Sequence, residues 1–534
     1  MAAKRRHRAP AEALRPGSGK VVRAGTRRDG RRGEEAGANG GSGDPRAFFA
    51  IALVIVGAGL VLRVIGLGHR EFWHDEFCSL RYARAPEGTI RALRAGGNPP
   101  LYFLSLRGWM ALFGASERAV RALSVLFSVA SIGALGLWLR SLGLARRTVL
   151  WPMALASVTP LHLFYAREAR GYSLVLLLVC LMLWSFCEAL RRGGARWWSL
   201  HGALCLLGFY THNLLVPFLA ALWMAAGLRR APRRAWAGLL AAHGAALALY
   251  APWAVIAAGQ AASGQARWIA RFWEAYPPLL AIPRSLLAFG VGGPIPAYIA
   301  WPSPAPWISW LSALFFGAAT LSALAAPASA ARTPDGARKV AATSVGRRAI
   351  RELLVFLLAP LAGLWIASIL TQPLYVVGRY DLVALPAFLG LTGVGLAELQ
   401  KRLAQRLGPP SVAIPAAGVA ILAAGALVPR YRADAAPDAR PLARRADLLA
   451  SAARPDDLIV SVDLAASNVL FLSRERGLPS KVATFPPEIL AHWGWFNAEE
   501  SAARGAAALR AEGRPSWESR DGPIRARACG CFRT

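Results

Sequence analysis

Two adjacent carboxylates, Asp75 and Glu76, lie in the stretch EFWHDEFCSL (71–80), directly after an apolar segment of membrane-spanning length. Neighbouring residues point about 100° apart on a helix and to opposite faces of a strand, so the pair does not predict a close catalytic dyad. One carboxylate can face a site while the other pairs locally. Flanking Phe72 and Trp73 favour burial at an interface, which raises carboxylate basicity and suits a general base. A solvated loop with ordinary acids is the alternative.

Four arginines at predicted outer helix ends indicate an anion site. They are Arg118, Arg121, Arg170 and Arg379. Arginine forms bidentate bonds to phosphate oxygens and keeps its charge in partly apolar surroundings. Snorkelling of the side chain to the membrane surface is the alternative for any one of them. Four such groups beside acids favour an anion at the outer leaflet, as a lipid-phosphate sugar donor would provide.

Glu168 and His212 are further candidates for substrate or metal binding. Glu168 lies between Arg167 and Arg170, so a structural ion pair is an open alternative. His212 follows a predicted span and suits a metal ligand, a donor to phosphate or a packed polar side chain. A divalent metal ion would find oxygen and nitrogen ligands in Glu168, Asp75 and His212. The sequence has no short ligand-spacing motif, so it leaves metal dependence open.

The composition of the chain indicates a membrane protein. Of its 534 residues, 55% are hydrophobic and 17% are charged, whereas soluble domains carry roughly a quarter charged residues. Several apolar runs reach the roughly 20 residues that cross a bilayer, and helices are the default spanning element because lipid cannot satisfy backbone groups. The predicted fold class is an all-α polytopic membrane protein with outer-surface juxtamembrane helices and a small C-terminal α/β domain.

The formal net charge of +32 is spread over short basic clusters between the apolar runs. This distribution is the positive-inside pattern of membrane proteins, so the charge does not predict a nucleic-acid partner. The N-terminal side of the first span is strongly basic, which places the N-terminus in the cytoplasm. Residues from 68 onward, including Asp75 and Glu76, are therefore predicted to emerge outside.

Apolar runs and basic loops together predict eleven spans. Residues 98–114 are excluded, because a span there would place Arg146 and Arg147 outside. They are predicted to form an amphipathic helix on the outer surface, and 284–293 a second surface or re-entrant helix. The predicted spans cover residues 47–67, 119–140, 148–165, 171–190, 199–211, 213–228, 235–258, 306–327, 352–371, 380–398 and 412–429.

Three regions follow from these spans. Residues 1–46, basic and poor in large apolar side chains, are predicted to be a disordered cytoplasmic tail. Residues 47–429 form the transmembrane module, with a first outer loop at 68–118. Residues 430–534 are predicted to be an extracytoplasmic domain, because the strand-like DDLIVSVDL (456–464) alternates with Ala-rich helical stretches. The chain is assigned to the cytoplasmic membrane.

This topology brings the informative polar residues to the outer face. They are His74, Asp75, Glu76, Asn98, Arg118, Arg121, Arg167, Glu168, Arg170, Tyr172, His212, Asn213, Tyr375, Arg379, Tyr380 and Asp381. The positive-inside rule was applied to the basic cytoplasmic loops alone, so the grouping of these polar residues on the outer face was not an input to the topology. It predicts a polar site at the outer membrane boundary.

Six motifs, in order along the chain, resemble one group of membrane enzymes. They are FWHDEFCSL, GNPPLYFLSLRGW, LFGASERAVRALSVLFSV, TPLHLFYAREARGYSLVLLLV, GFYTHNLLVPF and QPLYVVGRYDLVALPAFLGL, within residues 47–400. Together they resemble the C-type (GT-C) glycosyltransferases of the bacterial protein O-mannosyltransferase and aminoarabinose-transferase superfamily. That superfamily includes the dolichyl-phosphate-mannose-protein mannosyltransferase-like proteins. The resemblance implies a GT-C fold and a hexosyl- or pentosyltransferase that uses a polyprenyl-phosphate sugar.

The resemblance also implies roles for the acids. Asp75 matches the essential acid of the family's first outer loop, and Glu76 completes the D-E pair, so the resemblance names both as candidate catalytic residues. Glu168 matches the second acid, between the third and fourth spans. Asn98 stands where the family's HPPL motif has histidine, so the role of that histidine is not carried over.

The resemblance assigns the carrier phosphate to basic residues. Arg118 or Arg121 matches the family's arginine at the opening of the second span, and Arg379–Tyr380 matches the region that faces the phosphate. The C-terminal domain carries no motif of the family.

The implied chemistry is inverting transfer from a polyprenyl-phosphate sugar to an acceptor hydroxyl of a glycan, lipid or protein. Asp75 would accept the hydroxyl proton, and Arg379, Arg170 or His212 would stabilise the leaving phosphate. A transporter or flippase of lipid-linked sugars is the alternative. It predicts ionisable residues near mid-bilayer, inverted repeats or broken helices, whereas the polar residues here crowd one face.

Overall fold

The computed structural model describes most of the predicted transmembrane module and parts of the C-terminal region. The described residues are 44–436 without 97, 263–268, 271–272, 274–276, 295–301 and 331–335, together with 441–452, 454, 458–462, 477 and 481–485. The predicted cytoplasmic tail lies outside the described residues except for its last three.

Helices make up most of the described chain. The first half contains α1 (Pro45–Val64), α2 (His74–Arg84), α3 (Thr89–Gly96), α4 (Leu101–Phe113), α5 (Glu117–Ser141), α6 (Arg146–Val158), α7 (Pro160–Ala166), α8 (Tyr172–Arg192), α9 (Ala195–Phe209), α10 (Leu219–Leu228) and α11 (Arg233–Ala262). The second half contains α12 (Ala281–Phe289), α13 (Pro306–Ala330), α14 (Gly336–Leu370), α15 (Leu385–Leu407), α16 (Ile414–Asp434) and α17 (Pro441–Ala452). Short 3-10 helices cover Asn213–Leu215, Pro278–Leu280, Asp381–Ala384 and Pro409–Ala413.

Eight helices in the described part of the chain are long and apolar enough to cross a membrane. They are α1, α5, α8, α11, α13, α14, α15 and α16. Helices α6 and α7 together form one further candidate span, bent by 60°. The predicted fifth and sixth spans correspond to shorter helices, since α9 has 15 residues and α10 has 10, and a straight crossing takes roughly 20. The polytopic helical fold class is confirmed, and the count of eleven stays a prediction.

The two predicted surface segments form short helices. Helix α4 has 13 residues, about 20 Å of helix at the usual rise, which is too short to cross the hydrocarbon core. It packs against α2 and α5 and ends at Gly114, whose φ of 79° favours glycine. Helix α12 has nine residues. These lengths fit helices that lie at a membrane surface rather than spans.

The candidate span formed by α6 and α7 is broken at Pro160. Proline has no N–H, so the carbonyl of Ala156, four residues earlier, loses its helical donor. The buried Arg63 of α1 replaces it, donating from Nη2 to Ala156 O at 3.0 Å and from Nη1 to Ser157 O at 3.1 Å. A guanidinium from another helix therefore satisfies the end of α6, as an apolar environment requires.

Close helix contacts define the interior of the bundle. In the most apolar stretch of α15, 83% of residues are buried, against 11% in α1. Gly395 permits a close approach of α15 to α13, because a Cβ there would lie 1.8 Å from Ala319 O. On α1, by contrast, Phe49 and Leu53 are 69% and 73% exposed. Helix α15 is thus enclosed by protein, and α1 presents most of its surface to lipid.

Part of the predicted C-terminal domain is described. Strands β1 (Leu458–Val462) and β2 (Lys481–Phe485) pair in parallel, with Leu458 opposite Lys481. Strand β1 falls within the predicted strand-like run at 456–464. Most of residues 430–534 lie outside the described residues, so the class and bounds of this domain stay predictions.

Candidate active site

The acidic pair lies in the first turn of α2, which begins at His74. Carboxylates are favoured there by the positive end of the helix dipole. The Trp73 backbone N–H donates to Glu76 Oε2 at 3.3 Å, which fixes the entry of the chain into the helix. Because neighbouring helical residues diverge, Glu76 points into the protein with no exposed surface, while the Asp75 side chain is 19% exposed.

Glu76 forms a buried ion pair with Arg121. Arg121 Nε and Nη2 donate to its two carboxylate oxygens at 2.8 and 2.7 Å, and the Ala169 backbone N–H adds a bond of 3.0 Å. Burial would raise the pKa of Glu76, but the Arg121 guanidinium outweighs it and lowers the pKa. The pair fixes the first outer loop to α5 and to the segment before α8.

The burial of this pair corrects two roles predicted from sequence. Arg121 is 1% exposed, and its remaining donors reach the carbonyls of Leu67, Arg70 and Glu71 at 2.7–3.0 Å. Because the Arg121 nitrogens already donate to Glu76 and to these carbonyls, the guanidinium is not available to bind a phosphate. Glu76, which is fully enclosed, likewise has a structural rather than a catalytic position.

Asp75 faces two arginines from distant parts of the chain. Its Oδ2 accepts a hydrogen bond from Arg379 Nη2 at 2.9 Å, and Arg170 Nε lies 3.8 Å away. Arg379 Nε donates to the hydroxyl of Tyr172 at 2.6 Å. Burial would raise the pKa of Asp75, but the Arg379 and Arg170 charges outweigh it and lower that pKa to about 2. Asp75, Arg170 and Arg379 are named here the carboxylate–arginine cluster.

A tight turn presents Arg379 to Asp75. Gly378 has a φ of 72°, which favours glycine, and its N–H donates to Asp381 Oδ2 at 2.9 Å. Its carbonyl accepts a 2.6 Å hydrogen bond from the Tyr165 hydroxyl of α7. The bent α6–α7 pair therefore helps to position the turn that carries Arg379.

Aromatic rings border the cluster. The His212 ring lies 5.9 Å from that of Tyr172 and 5.6 Å from that of Tyr380, measured between centroids. Burial, together with the charges of Arg379 and Arg170, lowers the pKa of His212 to about 3. Its Nδ1 accepts from the Leu214 backbone N–H at 3.2 Å, so the neutral ring is assigned a proton on Nε2. His212 can therefore donate a hydrogen bond without carrying charge.

Glu168 has partners other than the carboxylate–arginine cluster. Its two carboxylate oxygens accept hydrogen bonds from Arg70 Nη2 and Trp73 Nε1. It is completely buried, and burial together with the neighbouring Glu76 carboxylate raises its pKa to about 7. The structural ion pair that the sequence left open is present, with Arg70 as the partner.

The contacts of the described residues do not join two further candidates to Asp75. Arg118 is exposed and lines a cavity of about 660 Å³ together with Trp109 and Phe113. Asn98 donates its amide to Gly96 O at 3.1 Å, a local bond within the loop. Within the described part of the chain, no group of three closely placed metal-ligand atoms includes Glu168, Asp75 or His212.

Sequence reasoning did not identify the hydrogen-bond partners of Glu168. Arg70 and Trp73 are the partners of Glu168, although they lie 98 and 95 positions away from it. Such pairings depend on the tertiary fold. Tyr172, the hydrogen-bond partner of Arg379, was grouped on the outer face from its place at the start of a span.

Comparison with known proteins supports the predicted resemblance. Residues 97–256 match the sequence profile of the family described as dolichyl-phosphate-mannose-protein mannosyltransferase. No curated protein matches the chain in sequence. The resemblance predicted from the motifs is confirmed over the matched residues.

Solved structures show a similar architecture. ArnT from Cupriavidus metallidurans in the apo state is 14% identical over 87% of this chain and 89% of its own, with a TM-score of 0.52. The same protein bound to undecaprenyl phosphate has a TM-score of 0.49 at 15% identity, covering 85% of this chain and 87% of its own. AglB from Archaeoglobus fulgidus, with an inhibitory peptide and dolichol-phosphate, has a TM-score of 0.48 at 12% identity, covering 85% of this chain and 72% of its own. At these identities, the comparison with apo ArnT supports the fold alone.

Proposed function

We propose that this chain, which resembles dolichyl-phosphate-mannose-protein mannosyltransferases over residues 97–256 and shares its fold with ArnT, is an inverting glycosyltransferase. It moves a hexosyl or pentosyl group from a polyprenyl-phosphate-linked donor to a hydroxyl of a glycan, lipid or protein. The transfer occurs at the outer face of the cytoplasmic membrane. The observation that carries the proposal is the carboxylate–arginine cluster, in which partly exposed Asp75 lies between Arg379 and Arg170.

The two arginines supply the site for the donor phosphate. Both guanidinium groups lie close to the Asp75 carboxylate, with Arg379 Nη2 at 2.9 Å and Arg170 Nε at 3.8 Å from Oδ2. A phosphodiester accepts hydrogen bonds from the same fork geometry as a carboxylate. The donor phosphate therefore competes with Asp75 for both guanidinium groups, and the neutral His212 adds an uncharged donor from Nε2.

Donor binding activates Asp75. A carboxyl group with a pKa of about 2 is a weak general base, since the most effective pKa lies near the working pH. The phosphate brings a negative charge that neutralises part of the two arginine charges. Loss of that stabilisation raises the pKa of Asp75 and makes it a better proton acceptor when the donor is in place.

The transfer is a single displacement. Asp75 takes the proton of the acceptor hydroxyl as the hydroxyl oxygen forms a bond to the anomeric carbon on the face opposite the phosphate. The bond from that carbon to the phosphate oxygen breaks, and the electron pair leaves with the polyprenyl phosphate. The leaving phosphate needs no protonation, in contrast to the alkoxide leaving groups of glycosidases. Arg379 and Arg170 stabilise the added negative charge.

The bent α6–α7 pair is the observation that would favour a transporter, because discontinuous helices commonly bind transported substrates through freed backbone groups. Here the freed carbonyls of Ala156 and Ser157 are bonded to Arg63. The carbonyls freed at the break are therefore satisfied by a protein side chain and are not available to a transported substrate, which favours the enzyme over the transporter.

The test of the proposal replaces Asp75 by Asn in the full-length protein. We expect transfer from a radiolabelled polyprenyl-phosphate sugar, measured in membrane vesicles, to fall roughly 10²–10⁴-fold, because general-base catalysis is lost. The amount of protein in the membrane should be unchanged, since Asp75 is partly exposed and outside the buried Glu76–Arg121 pair.

Glu87→Gln is the matched control, because Glu87 is an exposed carboxylate in the same outer loop. It should transfer at the rate of the unaltered protein. Full activity of the Asp75→Asn variant would rule out the proposed base. Mass spectrometry of envelope glycoconjugates from cells with and without the gene would identify the sugar and the acceptor.

A further inference from the structure

A second cluster of reactive side chains lies between α9 and α11, apart from the carboxylate–arginine cluster. His201 and Cys205 stand one turn apart on α9, and His243 faces them from α11. The two histidine Nε2 atoms are 3.0 Å apart, and Cys205 Sγ lies 3.7 Å from His201 Nε2. All three side chains are at most 1% exposed.

We propose that His201, Cys205 and His243 bind one thiophilic transition-metal ion of the Zn²⁺ class. Two imidazole nitrogens and one thiolate are a donor set that such ions prefer. In a tetrahedral zinc site the nitrogen ligands lie roughly 3.3 Å apart, and nitrogen and sulfur roughly 3.6 Å apart. The separations of 3.0 and 3.7 Å approach these values, and all three ligand atoms lie within 4.8 Å of one another.

The hydrogen bonding of His201 fits a metal ligand. Ser185 Oγ donates to Met182 O at 3.0 Å, so it accepts from His201 Nδ1, also at 3.0 Å. This assigns the His201 proton to Nδ1 and directs the lone pair of Nε2 toward the centre of the cluster. Metal-binding histidines usually donate from the other ring nitrogen in this manner, which fixes their tautomer.

Trp223 of α10 is hydrogen-bonded to the cluster through His243. Its Nε1–H donates to His243 Nδ1 at 2.7 Å, so the proton of neutral His243 is assigned to Nε2, where it donates to His201. To bind metal, His243 must move that proton to Nδ1, and the Trp223 indole must turn away. The Trp223 side chain is 41% exposed and can do so. The thiol of Cys205 loses its proton to solvent, which leaves one net positive charge with a divalent ion.

The ion would link α9 to α11 within the helical part of α9, whose C-terminal end leads to His212. The Tyr250 hydroxyl of α11 also donates to Asn213 Oδ1 at 2.6 Å, next to His212. The proposed metal therefore has a structural role that does not depend on the proposed transferase activity.

The test measures metal in the intact protein. The chain is purified in detergent from cells grown with added zinc, and its metal content is determined by mass spectrometry. We expect about one zinc per chain, because three ligand atoms that converge on one point hold a single ion. In Cys205→Ser and His243→Ala the content should fall roughly tenfold or more, since a ligand is lost.

Cys180→Ser is the matched control, because Cys180 is also a buried free cysteine but lies on α8 outside the cluster. It should keep its zinc. Trp223→Phe should lose zinc to EDTA more slowly than the unaltered protein, because the competing hydrogen bond to His243 is removed. Less than roughly a tenth of an equivalent of zinc in both the unaltered protein and Trp223→Phe would overturn the proposal. Equal zinc in the unaltered protein and both ligand variants would overturn it as well.

Discussion

Asp75 and Glu76 show how two identical charges one residue apart acquire different uses. Glu76 is enclosed and accepts hydrogen bonds from Arg121 Nε and Nη2. Its charge is therefore compensated, and its carboxylate cannot reach a substrate. Asp75 is 19% exposed and shares two arginines. Removing either partner of a fully buried ion pair leaves the other charge uncompensated, which commonly costs about 3–5 kcal/mol. Exposure thus decides which of the two acids can reach a substrate.

The pH dependence of transfer should report the change at Asp75. For the free enzyme, the Arg379 and Arg170 charges hold the pKa of Asp75 at about 2, and kcat/KM follows that value. For the donor complex, the bound phosphate raises the pKa, and kcat follows the raised value. Both parameters decline as pH falls through the relevant pKa, because the base becomes protonated. We therefore expect the acidic decline of kcat at a higher pH than that of kcat/KM.

Arg379→Ala provides the comparison for this pH profile. Without the Arg379 charge the free-enzyme pKa rises, so the acidic decline of kcat/KM should move upward toward that of kcat. Coincident profiles in the unaltered protein would contradict the proposed coupling between phosphate and base.

At the scale of elements, the bent α6–α7 pair depends on one side chain. Arg63 satisfies the two carbonyls released at Pro160, and Tyr165 of α7 then bonds the turn that carries Arg379. In Arg63→Leu the carbonyls lose their donors, each at about 1–3 kcal/mol. We expect a lower thermal unfolding temperature and a lower transfer rate, measured on detergent-purified protein and in vesicles.

Arg140→Leu is the control for this variant, since Arg140 is an exposed arginine at the far end of α5. It should unfold near the temperature of the unaltered protein. An Arg63→Leu protein that unfolds at the unaltered temperature would show that α6 does not need the guanidinium.

The bend also marks the limit of sequence reasoning for the elements. Apolar runs predicted the polytopic helical class, since length and hydropathy are the main signals of membrane-spanning helices, whereas the predicted fifth and sixth spans correspond to shorter helices. The run at 148–165 was predicted as one continuous span, although Pro160 within it was a local signal for a break. The replacement donor could not be inferred, because Arg63 lies 93 positions from Ala156. For the same reason the pairings of Glu76 with Arg121 and of Asp75 with Arg379 were not specified in advance.

At the scale of the whole molecule, the predicted orientation depends on α4 lying at the outer surface. If α4 does not cross, the segment between α4 and α5 is outside and the segment between α5 and α6 is in the cytoplasm. A reporter that is active only in the cytoplasm should therefore work when fused after residue 143. The same reporter fused after residue 115 should be inactive, which serves as the internal control. Activity after residue 115 but not after residue 143 would reverse the predicted orientation.

The position of Arg63 on α1 has a consequence for biosynthesis. Helix α1 is made before its partners, because Ser128 and Ala156 follow Arg63 by 65 and 93 residues. During that interval the guanidinium must stay hydrated, and its place one residue before the end of α1 allows it to reach the aqueous interface. Arrival of α6 and α7 then transfers it from water to the carbonyls at the break. The order of synthesis thus converts a residue that anchors a nascent helix at the membrane surface into one that locks the assembled bundle.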